Sequence, residues 1–215
     1  MNREAGALMA GHADAASLRV FGFWVYVMSD CVLFASLFVA YAVLHSAYAG
    51  GPTPREVVAL PGVLAETLLL LSSSFTCGLA TLAVHRGSRT GLLAWLAVTF
   101  LLGAAFVGLE GSEFGRLVRE GSGPGRSAYL SSFFALVGTH GLHVTCGLLW
   151  MLILGAQVAV KGVKPAAVGR MRTLSLFWHF LDIVWVCVFS FVYLAGSLSP
   201  GAMQMGGVPG GMPHG

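Results

Sequence analysis

Long apolar segments separated by short polar ones dominate the sequence. Five segments, at about residues 20–44, 62–84, 91–110, 131–158 and 174–197, are long enough to cross a hydrocarbon core of roughly 30 Å. Because no water inside a bilayer can satisfy the backbone, each segment is predicted to be a helix. The pattern therefore predicts an all-α membrane protein, a bundle of five transmembrane helices.

The composition supports this fold class. Hydrophobic residues make up 56% of the 215 residues and charged residues only 10%, whereas soluble domains carry about 25% charged residues. The net charge of +3 is small and scattered, so nucleic-acid binding is not indicated. Residues 1–19 are polar and hold no apolar core, so no cleavable signal peptide is expected.

The Lys and Arg residues lie outside the five segments and are divided unequally between the two sides of the membrane. The positive-inside rule predicts a cytoplasmic N-terminus and a periplasmic C-terminus. The predicted domains are a cytoplasmic polar tail over 1–19, the bundle over 20–197 and a disordered periplasmic tail over 198–215. One side carries Arg3, Arg19, Arg86, Arg89, Lys161, Lys164, Arg170 and Arg172, and the other carries Arg55, Arg116, Arg119 and Arg126.

Two groups of possible metal ligands are weak candidates. The C-terminal tail contains Met and His side chains that suit a soft ion such as Cu(I), but its low complexity favours a flexible segment. The four cysteines lie inside apolar segments without CxxC spacing and are predicted to be small buried hydrophobes. The tail ligands are Met203, Met205, Met212 and His214, and the cysteines are Cys31, Cys77, Cys146 and Cys187.

Two helices near the C-terminus carry ionisable pairs at positions i and i+3, which places each pair on one helix face. These pairs are His140 with His143, and His179 with Asp182. Ionisable groups inside a bilayer are costly and usually functional. The spacing leaves three interpretations open: a metal or haem site, a proton or ion path, and interhelical hydrogen bonds that fix packing.

Depth along the helices divides the other polar residues into two layers. Asp30 and Asp182 lie at similar depths on the inner side of the midplane. Glu66 and Glu110 lie near the outer side, where His140 is a possible neighbour.

Asp30 is the deepest lone carboxylate. No Lys or Arg shares the hydrocarbon region with it, so it is predicted to be protonated, or to share a proton with a His or with Tyr26 one turn away.

Several motifs resemble subunit III of the haem–copper terminal oxidases. The strings GTHGLHVTCGLLW (138–150) and LFWHFLDIVWVCVFSFVYL (176–194) carry the family's paired-His and WHFxD patterns. The segments ETLLLLSSS (66–74) and GLEGSEF (108–114), and Asp30 after Ser29, also match. The matching positions of the two strings and the preceding aromatic pair are Phe133, Phe134, Gly138, His140, Gly141, His143, Val144, Trp178, His179, Phe180, Asp182, Val184 and Trp185.

Two departures from the longer members of this family are informative. Those members have seven helices and carry Glu where this chain has Asp30. In these two features the chain is similar to the cytochrome bo-type ubiquinol oxidases. The sequence segments SDCVLF and GGPT are also similar to theirs.

The resemblance implies a non-redox subunit III of a proton-pumping ubiquinol oxidase in the bacterial inner membrane. It implies subunits I, II and IV as partners, haems and copper in subunit I, bound phospholipid, and no cofactor, metal or catalytic residue in this chain. Its implied role is to stabilise subunit I and to support proton uptake or oxygen access. Alternatives are a subunit III of a cytochrome c oxidase and a small proton-coupled transporter. The proton-related carboxylates would be Asp30, Glu66 and Glu110, and the interhelical polar network would be His140, His143, His179 and Asp182.

Overall fold

Five long helices make up the part of the chain that the structure describes. The computed structural model describes residues 2–44 and 60–194, with the backbone alone for residues 2–17, 19, 60 and 61. Each helix contains a stretch long and apolar enough to cross a membrane, which confirms the predicted all-α fold with five spanning helices. The helices are α1 (Asn2–Leu44), α2 (Leu60–His85), α3 (Arg89–Arg119), α4 (Ala128–Lys161) and α5 (Pro165–Val188), the last continued by a π-helical segment, Phe189–Leu194.

The helices extend beyond the apolar segments that predicted them. α1 includes most of the polar N-terminal residues, and α5 begins at Pro165, before the predicted 174. α3 continues past the predicted 110 because Arg116 pairs with Glu113 at 2.6 Å and with Glu120 at 3.5 Å. Such i,i+3 and i,i+4 pairs support a helix in water. Hydropathy therefore marked only the parts of the helices that suit the membrane.

Local sequence signals set the ends of the helices. The side chain of Ser88 accepts a hydrogen bond from Gly91 N at the start of α3, and Ser127 accepts one from Leu130 N at the start of α4. These N-caps satisfy amide groups that have no partner within the helix. α4 ends at Lys161 and is followed by Gly162, whose φ of +72° suits glycine because it has no Cβ; Pro165 then starts α5.

Four helices close into a ring, and the fifth lies outside it. α2 packs on α3, α3 on α4, α4 on α5, and α5 back on α2. α1 packs against α4 and more lightly against α5. A wide apolar face of α1 is therefore uncovered, including Phe21, Trp24 and Val32.

Trp178 is the central packing residue of the ring. A Cβ added to Gly103 of α3, or to Gly147 of α4, would lie 2.9 Å from its ring. The indole Nε1 donates to Ser73 Oγ of α2 at 3.0 Å. The two glycines and the serine thus allow one buried Trp to join α5 to the other three helices.

One end of the bundle, which we call the basic end, joins α2 to α3 and α4 to α5. Arg172 Nη2 lies 2.9 Å from His85 Nε2, and Arg89 donates to the carbonyl of Ala159. These contacts link the two connections to each other. The basic end carries Arg86, Arg89, Lys161, Lys164, Arg170 and Arg172.

The burial predicted for all four cysteines is wrong for two of them. Cys77 is buried and Cys187 is partly buried, but Cys31 and Cys146 are exposed on the bundle surface. An apolar segment in a membrane protein has an outward face as well as an inward one, and hydropathy does not distinguish the two faces.

Candidate functional site: polar groups between the helices

A buried carboxylate and an imidazole meet between α1 and α4. Asp30 Oδ2 lies 3.6 Å from His143 Nε2, and the two side chains are 8% and 16% exposed. This separation is a polar contact, slightly longer than a hydrogen bond. The ionisable neighbour of Asp30 on α4 is therefore His143, which the sequence pattern paired with His140 on one helix face.

The second nitrogen of His143 limits how protons can be arranged in this pair. Nδ1 lies 2.8 Å from the carbonyl oxygen of Thr139, which can only accept a hydrogen bond, so Nδ1 carries a hydrogen. A neutral His143 then presents a lone pair on Nε2 to Asp30. An attractive contact requires a proton between Nε2 and Oδ2, held by either residue. At 3.6 Å the two groups are in polar contact without a hydrogen bond, and Oδ2 has no hydrogen-bond partner within residues 2–44 and 60–194.

Tyr26, the other partner considered for Asp30, lies one turn earlier on α1. Its side chain interacts with Asp30 but is 41% exposed. Its ring contacts Phe23 and Phe177, with centroids 5.9 and 6.3 Å apart. Tyr26 therefore lies at the rim of the site, and His143 lies on its inner side.

His140 occupies a different environment from His143. It is fully buried, and neither ring nitrogen has a hydrogen-bond partner among residues 2–44 and 60–194. Its ring stacks on Trp185 at 5.1 Å and meets Phe106 and Phe34 edge-on at 5.9 and 6.3 Å. The structure places His140 in an aromatic cage, and not in the interhelical hydrogen-bond network that was predicted.

His179 and Asp182 lie at the contact of α5 with α2. His179 Nδ1 is 2.6 Å from Ser74 Oγ and 3.8 Å from Asp182 Oδ2. Both oxygens of Asp182 are buried, and neither has a hydrogen-bond partner within the described ranges. His179 thus forms an interhelical hydrogen bond, whereas Asp182 contacts it only weakly.

The two glutamates near the other end of the bundle are neighbours. Glu66 of α2 and Glu110 of α3 are 4% and 7% exposed, and they lie close enough to interact electrostatically. Tyr193, placed by the π-helical segment, lies close to both. The structure thus brings Glu66 and Glu110 close together, and it holds His140 elsewhere.

Three partners of the site residues had no clear signal in the sequence. Ser74 is the last residue of the segment ETLLLLSSS, and its hydroxyl lies 2.6 Å from Nδ1 of His179. Ser73 and Thr67 accept hydrogen bonds from the indole nitrogens of Trp178 and Trp185. The polar run SSS inside an apolar segment was the available hint, since a hydroxyl on a membrane helix often bonds to a neighbouring helix.

The metal interpretation receives no support from the described side chains. Within residues 2–44 and 60–194, no three His, Cys, Asp or Glu side chains converge in a way that could hold a metal ion. The tail ligands Met203, Met205, Met212 and His214 lie outside the described residues.

Comparison with known proteins adds the family to this geometry. Residues 4–197 match the model of the family described as cytochrome c oxidase subunit III. A cytochrome bo(3) ubiquinol oxidase subunit 3 of Pseudomonas aeruginosa is 60% identical over 185 residues, covering 86% of this chain and 88% of that protein. A quinol oxidase subunit 3 of Bacillus spizizenii is 43% identical over 193 residues, covering 90% and 95%. This chain therefore belongs to the cytochrome c oxidase subunit III family.

Proposed function

We propose that this chain is subunit III of a bo3-type ubiquinol oxidase, and that it assists electron transfer from quinol to oxygen without carrying a redox centre. The observation that carries this proposal is the 60% identity, over 86% of the chain, with a cytochrome bo(3) ubiquinol oxidase subunit 3. The more distant Bacillus relative is also named for quinol. The relatives favour a quinol over a cytochrome c donor.

The position of the chain in the membrane follows from its charges. The basic end and the N-terminus face the cytoplasm of a bacterial inner membrane, and the C-terminus faces the periplasm. Subunits I, II and IV of the oxidase are its partners, and subunit I holds the haems and copper. Phospholipid fills the apolar surface that those subunits leave uncovered.

The Asp30–His143 pair is the part of this chain best suited to support proton uptake. With one shared proton the pair is electrically neutral, so its burial avoids the cost of an isolated charge. A small approach of the two side chains would bring Oδ2 and Nε2 within hydrogen-bond distance, and the proton could then move between them. The pair can therefore exchange a proton with a neighbouring group while it keeps α1 attached to α4.

The remaining polar residues stabilise the bundle that subunit I contacts. His179 joins α5 to α2 through Ser74, and Glu66 and Glu110 meet where α2 contacts α3. His140 fills the aromatic cage between α1, α3 and α5. These interhelical contacts hold the shape on which proton uptake or oxygen access through the complex depends.

Affinity purification of the tagged chain from its native membrane tests the proposal. We expect a haem-containing complex that consumes oxygen with ubiquinol and does not oxidise reduced cytochrome c. The chain separated from its partners should show no haem absorption. A stoichiometric haem band in the isolated chain, or oxidation of cytochrome c by the complex, would contradict the proposal. Proton-coupled flux in liposomes that contain only this chain would favour the transporter instead.

A further inference from the structure

His179 is unusual among the ionisable side chains between the helices. Its side chain is 45% exposed, whereas those of Asp30, His143 and Asp182 are 8%, 16% and 9% exposed. The other ionisable groups at this depth face the bundle. His179 lies on the outward surface where α2 meets α5.

The depth of His179 places it in hydrocarbon. A helix rises about 1.5 Å per residue, so His179 lies ~10 Å along α5 from Arg172. Arg172 belongs to the basic end and contacts the exposed His85. A lipid headgroup at the level of Arg172 therefore does not reach the imidazole, and acyl chains offer it no hydrogen bond.

The inner nitrogen of His179 is already engaged. Nδ1 faces two oxygen atoms, Ser74 Oγ at 2.6 Å and Asp182 Oδ2 at 3.8 Å. The carboxylate of Asp182 is nine-tenths buried and has no hydrogen-bond partner within the described ranges, so a hydrogen on Nδ1 is the favourable arrangement. A neutral imidazole then carries a lone pair on Nε2, which has no partner among the described residues.

We propose that the α2–α5 face around His179 docks against a transmembrane helix of a neighbouring oxidase subunit, and that His179 Nε2 accepts a hydrogen bond from a donor on that helix. This inference rests on the proposed function, because it assumes a multisubunit complex. The complementary group is a hydroxyl, amide or indole N–H. At this depth the face offers His179 Nε2 as a hydrogen-bond acceptor. Among the described residues, no Lys or Arg lies beside it to act as the donor.

The surroundings of His179 suit a helix. Ile183 and Val186 follow it on the same face of α5 and are 65% and 42% exposed. On α2, a Cβ added to Gly78, one turn from Ser74, would meet no atom within 4 Å. An apolar rim with a small residue beside one polar group is the pattern by which membrane helices associate closely.

Photo-crosslinking within the intact complex tests this surface. Benzoylphenylalanine at position 183 should crosslink to another oxidase subunit, and the same probe at position 101 on the exposed face of α3 should not. A crosslink from position 101 alone, no product from position 183, or a product containing two copies of this chain would each overturn the proposal.

Substitution of His179 tests the hydrogen bond itself. His179→Leu should raise the fraction of complex that loses this chain in detergent roughly threefold to twentyfold, the effect of one interhelical hydrogen bond in a membrane. His179→Gln, which keeps an acceptor, should restore retention. Ser74→Ala removes only the contact to Nδ1, so the complex should retain a chain with this substitution better than one with His179→Leu. Equal loss from Ser74→Ala and His179→Leu would show that the imidazole acts only within this chain. Normal haem content and ubiquinol oxidation in the unsubstituted complex keep such a failure separate from failure of the proposed function.

Discussion

Nε2 of His143 on α4 faces the carboxylate of Asp30 on α1 at 3.6 Å, while Nδ1 of the same ring is held by the carbonyl of Thr139. The backbone of α4 thereby sets the tautomer of the imidazole that meets the buried acid. This relationship makes Asp30 and His143 direct neighbours across the contact of α1 with α4.

Removing the imidazole should change the infrared signature of Asp30. In His143→Leu, Asp30 loses the imidazole with which we propose that it shares a proton, so its carboxyl C=O stretch should sharpen and move to higher frequency. Thr139→Ala is the matched control, because the acceptor is the backbone carbonyl and remains. Isotope-edited infrared spectra measure the band. Identical Asp30 bands in the wild type and His143→Leu would rule out the shared proton.

Packing against Trp178 should make two glycines intolerant of even a methyl group. Gly103→Ala and Gly147→Ala place a Cβ 2.9 Å from the indole ring. Overpacking of this kind should lower the free energy of unfolding in detergent by about 1–3 kcal/mol.

The same two helices offer controls for this measurement. A Cβ at Gly108 of α3 or at Gly141 of α4 would meet no atom within 4 Å. Gly108→Ala and Gly141→Ala should therefore leave stability unchanged or slightly improved. If all four variants behave alike, the helices do not meet at Trp178 in the way described.

Loss of the hydrogen bond from Trp178 to Ser73 should lower the free energy of unfolding, whereas loss of the neighbouring exposed hydroxyl of Ser72 should not. Ser73→Ala leaves a buried indole N–H without its acceptor and should cost about 1–3 kcal/mol of unfolding free energy. Ser72 is exposed on the same helix, so Ser72→Ala should change little. The comparison uses unfolding of the purified chain or complex in detergent. Equal effects of the two substitutions would argue against the bond.

The number of spanning helices could be predicted because hydropathy reports directly on the solvent of each segment. The ends of the helices could not, since polar turns outside the membrane follow other rules. α3 continues to Arg119 through charge pairs around Arg116 that a hydropathy pattern treats as a loop. The orientation, the domain boundaries and the roles of the site residues remain predictions.

The partners of the buried polar residues depend on how the helices are rotated about their axes. His140 and His143 share a face of α4 by spacing, yet one enters an aromatic cage and the other meets Asp30. A difference of less than one turn replaces aromatic neighbours on α1, α3 and α5 by a carboxylate on α1. Sequence spacing gives the face but not the helix that covers it, so Ser74 was not predicted as the partner of His179.

Proton uptake in the reconstituted oxidase tests the central claim most directly. Complexes that carry Asp30→Asn, Asp30→Glu or the wild-type chain are compared in liposomes at equal haem content, by protons pumped per electron and by the number of turnovers before activity is lost. We predict an unchanged haem spectrum in all three, a fall in both quantities for Asp30→Asn, and recovery in Asp30→Glu, which keeps an acid. Pumping and sustained turnover in Asp30→Asn that match the wild type would contradict the account and leave Asp30 with a structural role only.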